Sequence, residues 1–479
     1  MAYPAAGDLF TLRYQKITVK ILLISPAHII KAGNIWKNIN RALPPLGLAA
    51  IGAFLEQKGF TVKILDVGAQ DIGEDSLREE MKNFAPDFTG ITSATVLIDA
   101  ALNIARFCKD AYPGTKIVFG GVHPTIAPEE VLKNDFVDYV IRREGEYTFY
   151  ELVAQEPLAG ILGLSYKEGG IILHNAERPF IADLDSLPRP AYHLLPVKSY
   201  RPSTANYKRL PAISIMTSRG CPGRCTFCYT GTCGTVTRFR SPARIIEEIE
   251  FLQRDYDIRE ISFYDDTFTA NRANVLELCA LIEKKKIDIT FSCMSRIDMV
   301  DPDLLKALKR AGCHQIGYGV ESASAEIMKN IKKPVMLEKV HRVFDDTRRA
   351  GLAARGMFMF GNPGETKESM ADTLRLALSL KCDMVVFNIT TPYPGTEMFI
   401  WAKKNGFLLT EDWGRYDLSQ SVMRLSTVSP EMINNFYHYA YKRFYMRPEY
   451  LLRRLFKIRS LVDLKNNFDC FLGMLGAGS

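Results

Sequence analysis

The sequence predicts an α/β protein with an N-terminal doubly wound, Rossmann-like parallel sheet, then a partial (β/α)6 TIM-like barrel, then a C-terminal helical cap. Three observations predict it. Short apolar runs alternate with helical-period stretches from residue 18 to about 155, and again from 212 to 390. The stretch between them loses the helical period. After about residue 411 the alternation stops and an aromatic-rich helical pattern replaces it.

Taken in order, residues 1–17 form a polar N-terminal extension, and the first domain occupies 18–155. Residues 18–24 read as a strand of a covered parallel sheet, because the run is almost wholly apolar. Further strands fall near Thr61–Asp66, Phe88–Ser93, Lys116–Gly120 and Tyr139–Ile141, with helices at Gly47–Gln57, Ser76–Phe84 and Ile98–Ala111. Sheets of this kind bind ligands outside the carboxyl ends of their strands, so this is the expected cofactor domain. Residues 156–205 are the expected linker, with a hairpin around Glu168-Gly169-Gly170 and an extended tether at Leu187-Pro188-Arg189-Pro190. The barrel spans 206–405, with strands at 212–217, 260–264, 288–294, 315–320, 354–360 and 383–390. Its helices fall at 242–255, 272–284, 337–350 and 367–380, and its active site belongs at the carboxyl ends of the strands. Residues 406–479 form the helical region, periodic from Met432 to Phe456, with Arg447, Arg453, Arg454, Lys457 and Arg459 gathered near its end. That basic amphipathic segment reads first as a cap with a solvated face and second as a peripheral contact with a membrane surface.

At 479 residues the chain can bury two or three cores, and 47% hydrophobic against 24% charged residues excludes disorder as the dominant state. A net charge of +7 is modest for this length and implies no nucleic-acid partner. Ten cysteines, mostly scattered, and the lack of a cationic apolar leader point to a reducing cytoplasm. No apolar stretch approaches the roughly eighteen residues of a spanning helix.

The most informative motif is Cys221, Cys225 and Cys228, in the run Cys-Pro-Gly-Arg-Cys-Thr-Phe-Cys. Three thiolates so spaced can hold three irons of a cubane and leave the fourth open. A structural zinc site would want four ligands, and an electron-transfer ferredoxin would want a fourth cysteine at a defined offset. Arg219-Gly220 and Pro222-Gly223 mark a tight loop, which argues against three core cysteines that merely fall close together. Cys233, five positions on, fits no ligand pattern; it reads either as a thiol that donates hydrogen or reaches the substrate, or as an inert small residue.

The barrel strands end in polar residues. Asp265 and Asp266 close the second, where one of them would meet a ligand ammonium or cap the helix starting near Asn271. Ser295 and Arg296 end the third, and Arg296 either forks onto a ligand carboxylate or makes a surface salt bridge. Glu321 ends the fourth and is placed to accept from ribose hydroxyls, since a charge there is costly unless used. Gly361, Pro363 and Gly364 form a turn that lets backbone approach a ligand, with Thr366 as a helix cap. In the first domain Thr92 and Ser93, then Gly120, Gly121 and His123, follow neighbouring strands and can surround a long polar nucleotide tail.

The cysteine motif after an apolar strand resembles the radical S-adenosylmethionine enzymes, in which the cofactor's amino and carboxylate groups chelate the open iron. The resemblance covers residues 206–405. It implies that Phe227 lies near the adenine and that the four strand ends touch S-adenosylmethionine, as in the branch of methylases, methylthio-transferases and anaerobic cyclases. The glycine turns of the first domain, placed directly before such a barrel, resemble the cobalamin-binding domain of the cobalamin-dependent members. The Asp-x-His-x-x-Gly loop that supplies a cobalt ligand in other cobalamin proteins is missing here. The resemblance therefore implies cobalamin with its base displaced and no histidine below the cobalt, His123 instead bonding to the corrin or to backbone. Residues Asn34–Gly47 would wall one side of the corrin, or simply start a helix. The implied cofactors are one [4Fe-4S] cluster, S-adenosylmethionine and cobalamin, with an external electron donor such as flavodoxin or ferredoxin. The implied reaction is C-methylation of an unactivated carbon in a small or lipid-like substrate, by a 5′-deoxyadenosyl radical and a methyl group carried on cobalamin. The alternative is anaerobic oxidative cyclisation or another radical oxidation without methyl transfer. Methylthio-transfer to transfer RNA would want a second cluster, but the N-terminal domain offers only Cys108.

Overall fold

The computed structural model describes residues 19–27, 43–200, 207–333 and 335–455. The N-terminal extension, residues 34–42 of the Asn34–Gly47 segment, and the side chains of Arg453, Arg454, Lys457 and Arg459 lie outside the described residues.

Five strands open the fold: β1 (Lys20–Ser25), β2 (Thr61–Asp66), β3 (Phe88–Thr92), β4 (Lys116–Gly120) and β5 (Tyr139–Ile141), all parallel. β6 (Leu164–Glu168) and β7 (Ile171–His174) add antiparallel, giving the order β2-β1-β3-β4-β5-β6-β7. In β1 the alternate residues Ile21 and Leu23 pack with helices Leu46–Gln57 and Glu146–Val153, while Leu22 and Ile24 pack with helix Ile98–Ala111. Both faces are covered, which is why the strand reads as a continuous apolar run. The hairpin expected in the linker belongs to this sheet instead. Gly169 and Gly170 take φ of +58° and +80°, the left-handed pair of a two-residue hairpin turn, and β6 pairs with β5.

The barrel begins with β8 (Ala212–Ile215). The cysteine loop follows, its two limbs paired antiparallel as β9 (Ser218–Arg219) and β10 (Arg238–Phe239). β11 (Glu260–Phe263), β12 (Thr290–Ser295), β13 (Cys313–Glu321), β14 (Ala353–Phe360) and β15 (Met384–Ile389) complete a six-stranded parallel sheet in sequential order with β8. Tyr318 on β13 reaches Thr347 of helix Leu337–Arg349 at 2.8 Å, so that side of the sheet faces the helices. Met294, Gly317 and Arg355, side by side in register on β12, β13 and β14, face the barrel interior. Helix starts follow the sequence signals. Asn271 caps helix Arg272–Lys285 through the amide of Asn274 at 3.1 Å, so neither Asp265 nor Asp266 serves as that cap. Thr366 and Ser369 form a reciprocal capping box.

The C-terminal helix Pro430–Tyr445 closes the barrel's edge. The Tyr441 hydroxyl accepts from Phe387 N at 2.9 Å and donates to Phe387 O at 2.8 Å, and Tyr445 does the same at Val385 at 3.1 and 2.6 Å. Two phenols thus take the ladder positions that β15 would otherwise leave to another strand. Upstream of that helix, Trp413 Nε1 donates to Glu130 Oε1 of the first domain at 2.7 Å. Among the described residues no helix is long and apolar enough to cross a membrane.

Candidate active site

Cys221, Cys225 and Cys228 lie on the loop between β9 and β10, just past the carboxyl end of β8. Thr226 N donates to Ile331 O at 3.1 Å and Met398 N to Thr226 O at 2.9 Å, tying the loop to the barrel's far side. Its neck needs a glycine. Gly220 sits at φ +96°, and a β carbon there would stand 2.6–3.0 Å from the carbonyls of Val236, Cys233 and Gly234. The Cys221 and Cys225 sulfurs face one space: a β carbon on Gly223 would lie 3.3 and 3.8 Å from them and 3.5 Å from Arg296 Nη1. Burial pushes the Cys225 thiol up, with the Lys333 charge opposing the rise, while Cys228 stands exposed at the outer end of the motif. Three thiols on one loop, two of them facing one space and with the Lys333 and Arg296 charges beside them, suit a [4Fe-4S] cluster, whose iron takes the thiolate form. Phe227, half-buried, packs against the cluster of apolar residues around Ile331 and Met398.

Four strands of the parallel sheet end on the side from which this loop springs, and Asp266, Arg296 and Glu321 from three of them lie beside its thiols. Asp265 is buried and its Oδ1 accepts from Thr217 N at 2.9 Å, Thr217 Oγ1 at 3.0 Å and Ser218 Oγ at 2.6 Å. Burial outweighs those bonds and raises its carboxyl to about 6. Its neighbour Asp266 is exposed and carries its charge toward Cys228. Arg296 forks onto Asp298 with two bonds of 2.9 Å, the protein's own carboxylate filling the bidentate role. Ser295 Oγ shares a 2.5 Å hydrogen bond with Thr269 and also donates to Arg296 O. Glu321, at φ +67° where the β13–β14 register shifts, accepts from Lys333 Nζ at 2.6 Å, and both side chains are 9% exposed. The Gly361 turn is filled from the C-terminal helix: a β carbon on Gly361 would stand 3.2 Å from Ile433, and Pro363 O accepts from Asn330 at 3.0 Å.

A second space, a chamber of about 250 Å³, opens between the first sheet and the cysteine loop. Thr92, Gly120 and Gly121 line it at the ends of β3 and β4, with Leu46 and Gly47 at the start of the first helix. The barrel contributes Ser218, Arg219, Thr232 and Cys233, and the tether contributes Leu187, Pro188 and Pro190. Nothing lies within 4 Å of where a Gly47 β carbon would stand, whereas one on Gly121 would meet Ser93 O and Thr92 Oγ1 at 2.8 Å. A wide, largely apolar chamber at the carboxyl ends of parallel strands suits a large planar cofactor. Ser93 and His123 stand behind this lining. Ser93 Oγ donates to Ala94 O, and the fully buried His123 lies 3.4 Å from Thr95 Oγ1 and 3.6 Å from Glu130 Oε1, its ring against Trp413. Cys233 lines the chamber, and burial pushes its thiol up to about 11.

Comparison with known proteins agrees with both halves. Residues 36–153 match the B12 binding domain family and residues 215–377 the Radical SAM superfamily. The uncharacterized methyltransferase PH0819 of Pyrococcus horikoshii is 36% identical over 445 residues, covering 92% of this chain and 95% of that protein. The chain belongs to the cobalamin-dependent radical S-adenosylmethionine enzymes. The anaerobic magnesium-protoporphyrin IX monomethyl ester cyclase of Rubrivivax gelatinosus is 26% identical, covering 90% of this chain and 78% of that one. The solved structure of the cobalamin-dependent S-adenosylmethionine radical enzyme OxsB with aqua-cobalamin bound shares the fold, with a TM-score of 0.73, 16% identity, and coverage of 95% and 72%. As a radical S-adenosylmethionine enzyme with a cobalamin domain, this protein uses a [4Fe-4S] cluster, S-adenosylmethionine and cobalamin.

Several residues of this radical S-adenosylmethionine enzyme had no signal in its sequence. Lys333, Glu144 and Glu146 stand among other charges in the sequence and Arg219 on a two-residue strand, and only the fold pairs them. Arg355 stands in the barrel interior, with Nη2 donating to Met294 Sδ at 3.0 Å, and burial lowers its pKa below the usual guanidinium value. A charge in the middle of a strand pattern was the one available hint.

Proposed function

We propose that this enzyme methylates an unactivated carbon of a small or lipid-like substrate. The observation that carries the reading is the chamber lining. His123 is turned into a buried contact with Thr95, Glu130 and Trp413, and among the described residues no histidine lines the chamber. Cobalamin held by this lining would supply the methyl group, with Thr92, Gly120 and Gly121 as the polar and backbone surface against it. When bound, the reduced cluster supplies the electron that cleaves S-adenosylmethionine, and cobalamin supplies the methyl group.

The chain's own residues bind, orient and exclude water. Cys221, Cys225 and Cys228 hold the cluster. Of the two adjacent acids, Asp266 takes the methionyl ammonium, because Asp265 is committed to Thr217 and Ser218. Glu321, held in place by Lys333, accepts from the ribose hydroxyls. Thr92, Gly120 and Gly121 give the corrin a surface that backbone can approach closely. Cys233, kept as a neutral thiol, is the candidate hydrogen donor on the chamber side.

Product counting tests the reading. Anaerobically reconstituted enzyme is given S-adenosylmethionine and a reductant, and S-adenosylhomocysteine and 5′-deoxyadenosine are quantified. Methylation predicts S-adenosylhomocysteine at about one equivalent per bound cobalamin before substrate is added, then both products rising together with substrate. 5′-Deoxyadenosine alone would replace methylation with oxidative cyclisation, the second reading, which the likeness to the Rubrivivax cyclase favours.

A further inference from the structure

We infer that the cobalamin chamber and the iron-binding loop are energetically coupled through a buried ion-pair lattice centred on Arg219, which acts as a positioning residue between the two cofactors. The inference rests on the assignment of cobalamin to the chamber and iron to the loop. Arg219 stands on the loop's incoming limb, two positions before Cys221. Its Nη1 donates to Glu144 Oε1 at 2.9 Å and its Nη2 to Glu146 Oε1 at 2.7 Å. Arg238, its antiparallel partner on the outgoing limb, donates from Nη1 to both Glu144 oxygens at 3.0 and 2.9 Å and to Ile181 O at 2.6 Å. From Nη2 it donates to the carbonyl of Cys233 at 2.8 Å. Both acids come from the first domain, between β5 and the first turn of helix Glu146–Val153. The cysteine loop is therefore gripped at both limbs by carboxylates of the cobalamin domain.

The lattice is also the chamber's wall. Glu144, Glu146, Arg219, Thr232 and Cys233 all line the chamber, while the carboxylates themselves are only 6% and 4% exposed. A cofactor that fills the chamber excludes water from this wall and strengthens each ion pair, because the local dielectric falls. With the chamber full of water, the same groups have hydration as an alternative partner, and the loop they hold is less tightly fixed. A loop fixed in one geometry loses less entropy when three thiolates bind iron. That difference in free energy between filled and empty chamber is what a coupling requires, and linkage makes it reciprocal: a loaded cluster must tighten cobalamin by the same factor.

The test titrates hydroxocobalamin into the full chain anaerobically, following the difference spectrum, with and without the reconstituted cluster. The cluster is expected to tighten binding by about fivefold or more. In the opposite direction, bound cobalamin should slow iron loss to a chelator. In Arg219→Met both effects should collapse toward a ratio of one, while Arg272→Ala, which removes an exposed ion pair with Asp301, should leave them intact. Should Arg219→Met fail to fold, Glu146→Gln carries the test, since it keeps the shape and removes one charge of the fork. A wild-type ratio of one, or a ratio unchanged in both lattice variants, overturns the inference. A wild-type chain that binds no hydroxocobalamin overturns the chamber assignment itself, and the coupling with it.

Discussion

Replacing Glu321 with glutamine separates what this residue does for the fold from what it does for S-adenosylmethionine. Glu321 sits at φ +67°, in the left-handed region, where the register of β13 against β14 slips by a residue. Such a bulge re-aims a side chain, and a non-glycine residue held there stores about 1–3 kcal/mol of strain. The re-aimed carboxylate meets Lys333 Nζ at 2.6 Å, with both side chains 9% exposed. In Glu321→Gln the Lys333 ammonium stays buried without its counter-charge, which costs about 3–5 kcal/mol. For an unfolding unit of roughly 200 residues the entropy of unfolding is about 0.4 kcal/mol/K, so the melting point should fall by about 7–12 °C. Adding Lys333→Met removes both charges, and the double variant should recover to within about 1 kcal/mol of the wild type. Its affinity for S-adenosylmethionine should not recover. Losing a charged hydrogen bond to ribose costs about 1.5–3 kcal/mol, or roughly 10- to 150-fold. Thermal melts of the cluster-free chain give the first quantity, and equilibrium dialysis of the reconstituted enzyme gives the second. A single variant that melts within 2 °C of the wild type would refute the ion-pair argument. A double variant that binds S-adenosylmethionine normally would refute the ribose assignment.

Three further outcomes are expected. Gly121→Ala places a β carbon 2.8 Å from Ser93 O in a backbone conformation of φ +99° and ψ −167°, which only glycine adopts readily. It should weaken hydroxocobalamin binding by about 1–3 kcal/mol, read from the difference spectrum, and an unchanged Kd would show that the β4 turn does not touch the cofactor. Cys225→Ser should retain less than about one iron per chain after reconstitution, counted colorimetrically, and full retention would remove Cys225 from the ligand set. Asp265 has a folded pKa of about 6 against an ordinary 3.8, so its ionised form is the disfavoured one in the folded state. Its contribution is therefore largest below about pH 4 and is lost as pH rises through 6, amounting to about 3 kcal/mol at about 1.4 kcal/mol per unit. Denaturant melts of the cluster-free chain should show wild type losing stability relative to Asp265→Asn between pH 4 and 7, and a difference independent of pH would mean the acid is not held neutral.

The parallel strands were legible because their periodicity is forced by burial. β1 is apolar on both faces since helices cover both, and β14 alternates since one face looks into the barrel. Helix starts at Asn271 and Thr366 were legible because capping is local chemistry. The hairpin at Gly169 was found but misassigned, because turn residues announce a hairpin and not the strand that receives it. Asp265 and Asp266 could not be told apart as neighbours in a row. On a strand end they point opposite ways, one toward Thr217 and Ser218, the other into the open. His123 looked available because Trp413, which covers it, comes from the far end of the chain.

In the charge pairs that matter most here, the acid is buried and meets a cation from another element of the fold. Glu321 is held by Lys333, Arg219 by Glu144 and Glu146, and Arg240 by Glu248, which also accepts from Tyr192 of the segment that joins the two sheets. A buried pair gains little net stability over apolar packing, so abundance of such pairs is a poor route to a stable core. Their geometry is another matter. A fork of two N–H bonds tolerates little displacement, and breaking it is costly, so each pair fixes one loop against one neighbour. Two large cofactors must be brought together by loops that are otherwise the least constrained parts of the fold. Fixing those loops with buried charge, and not with more hydrophobic surface, leaves the chamber and the barrel mouth unfilled while still setting the distance between them.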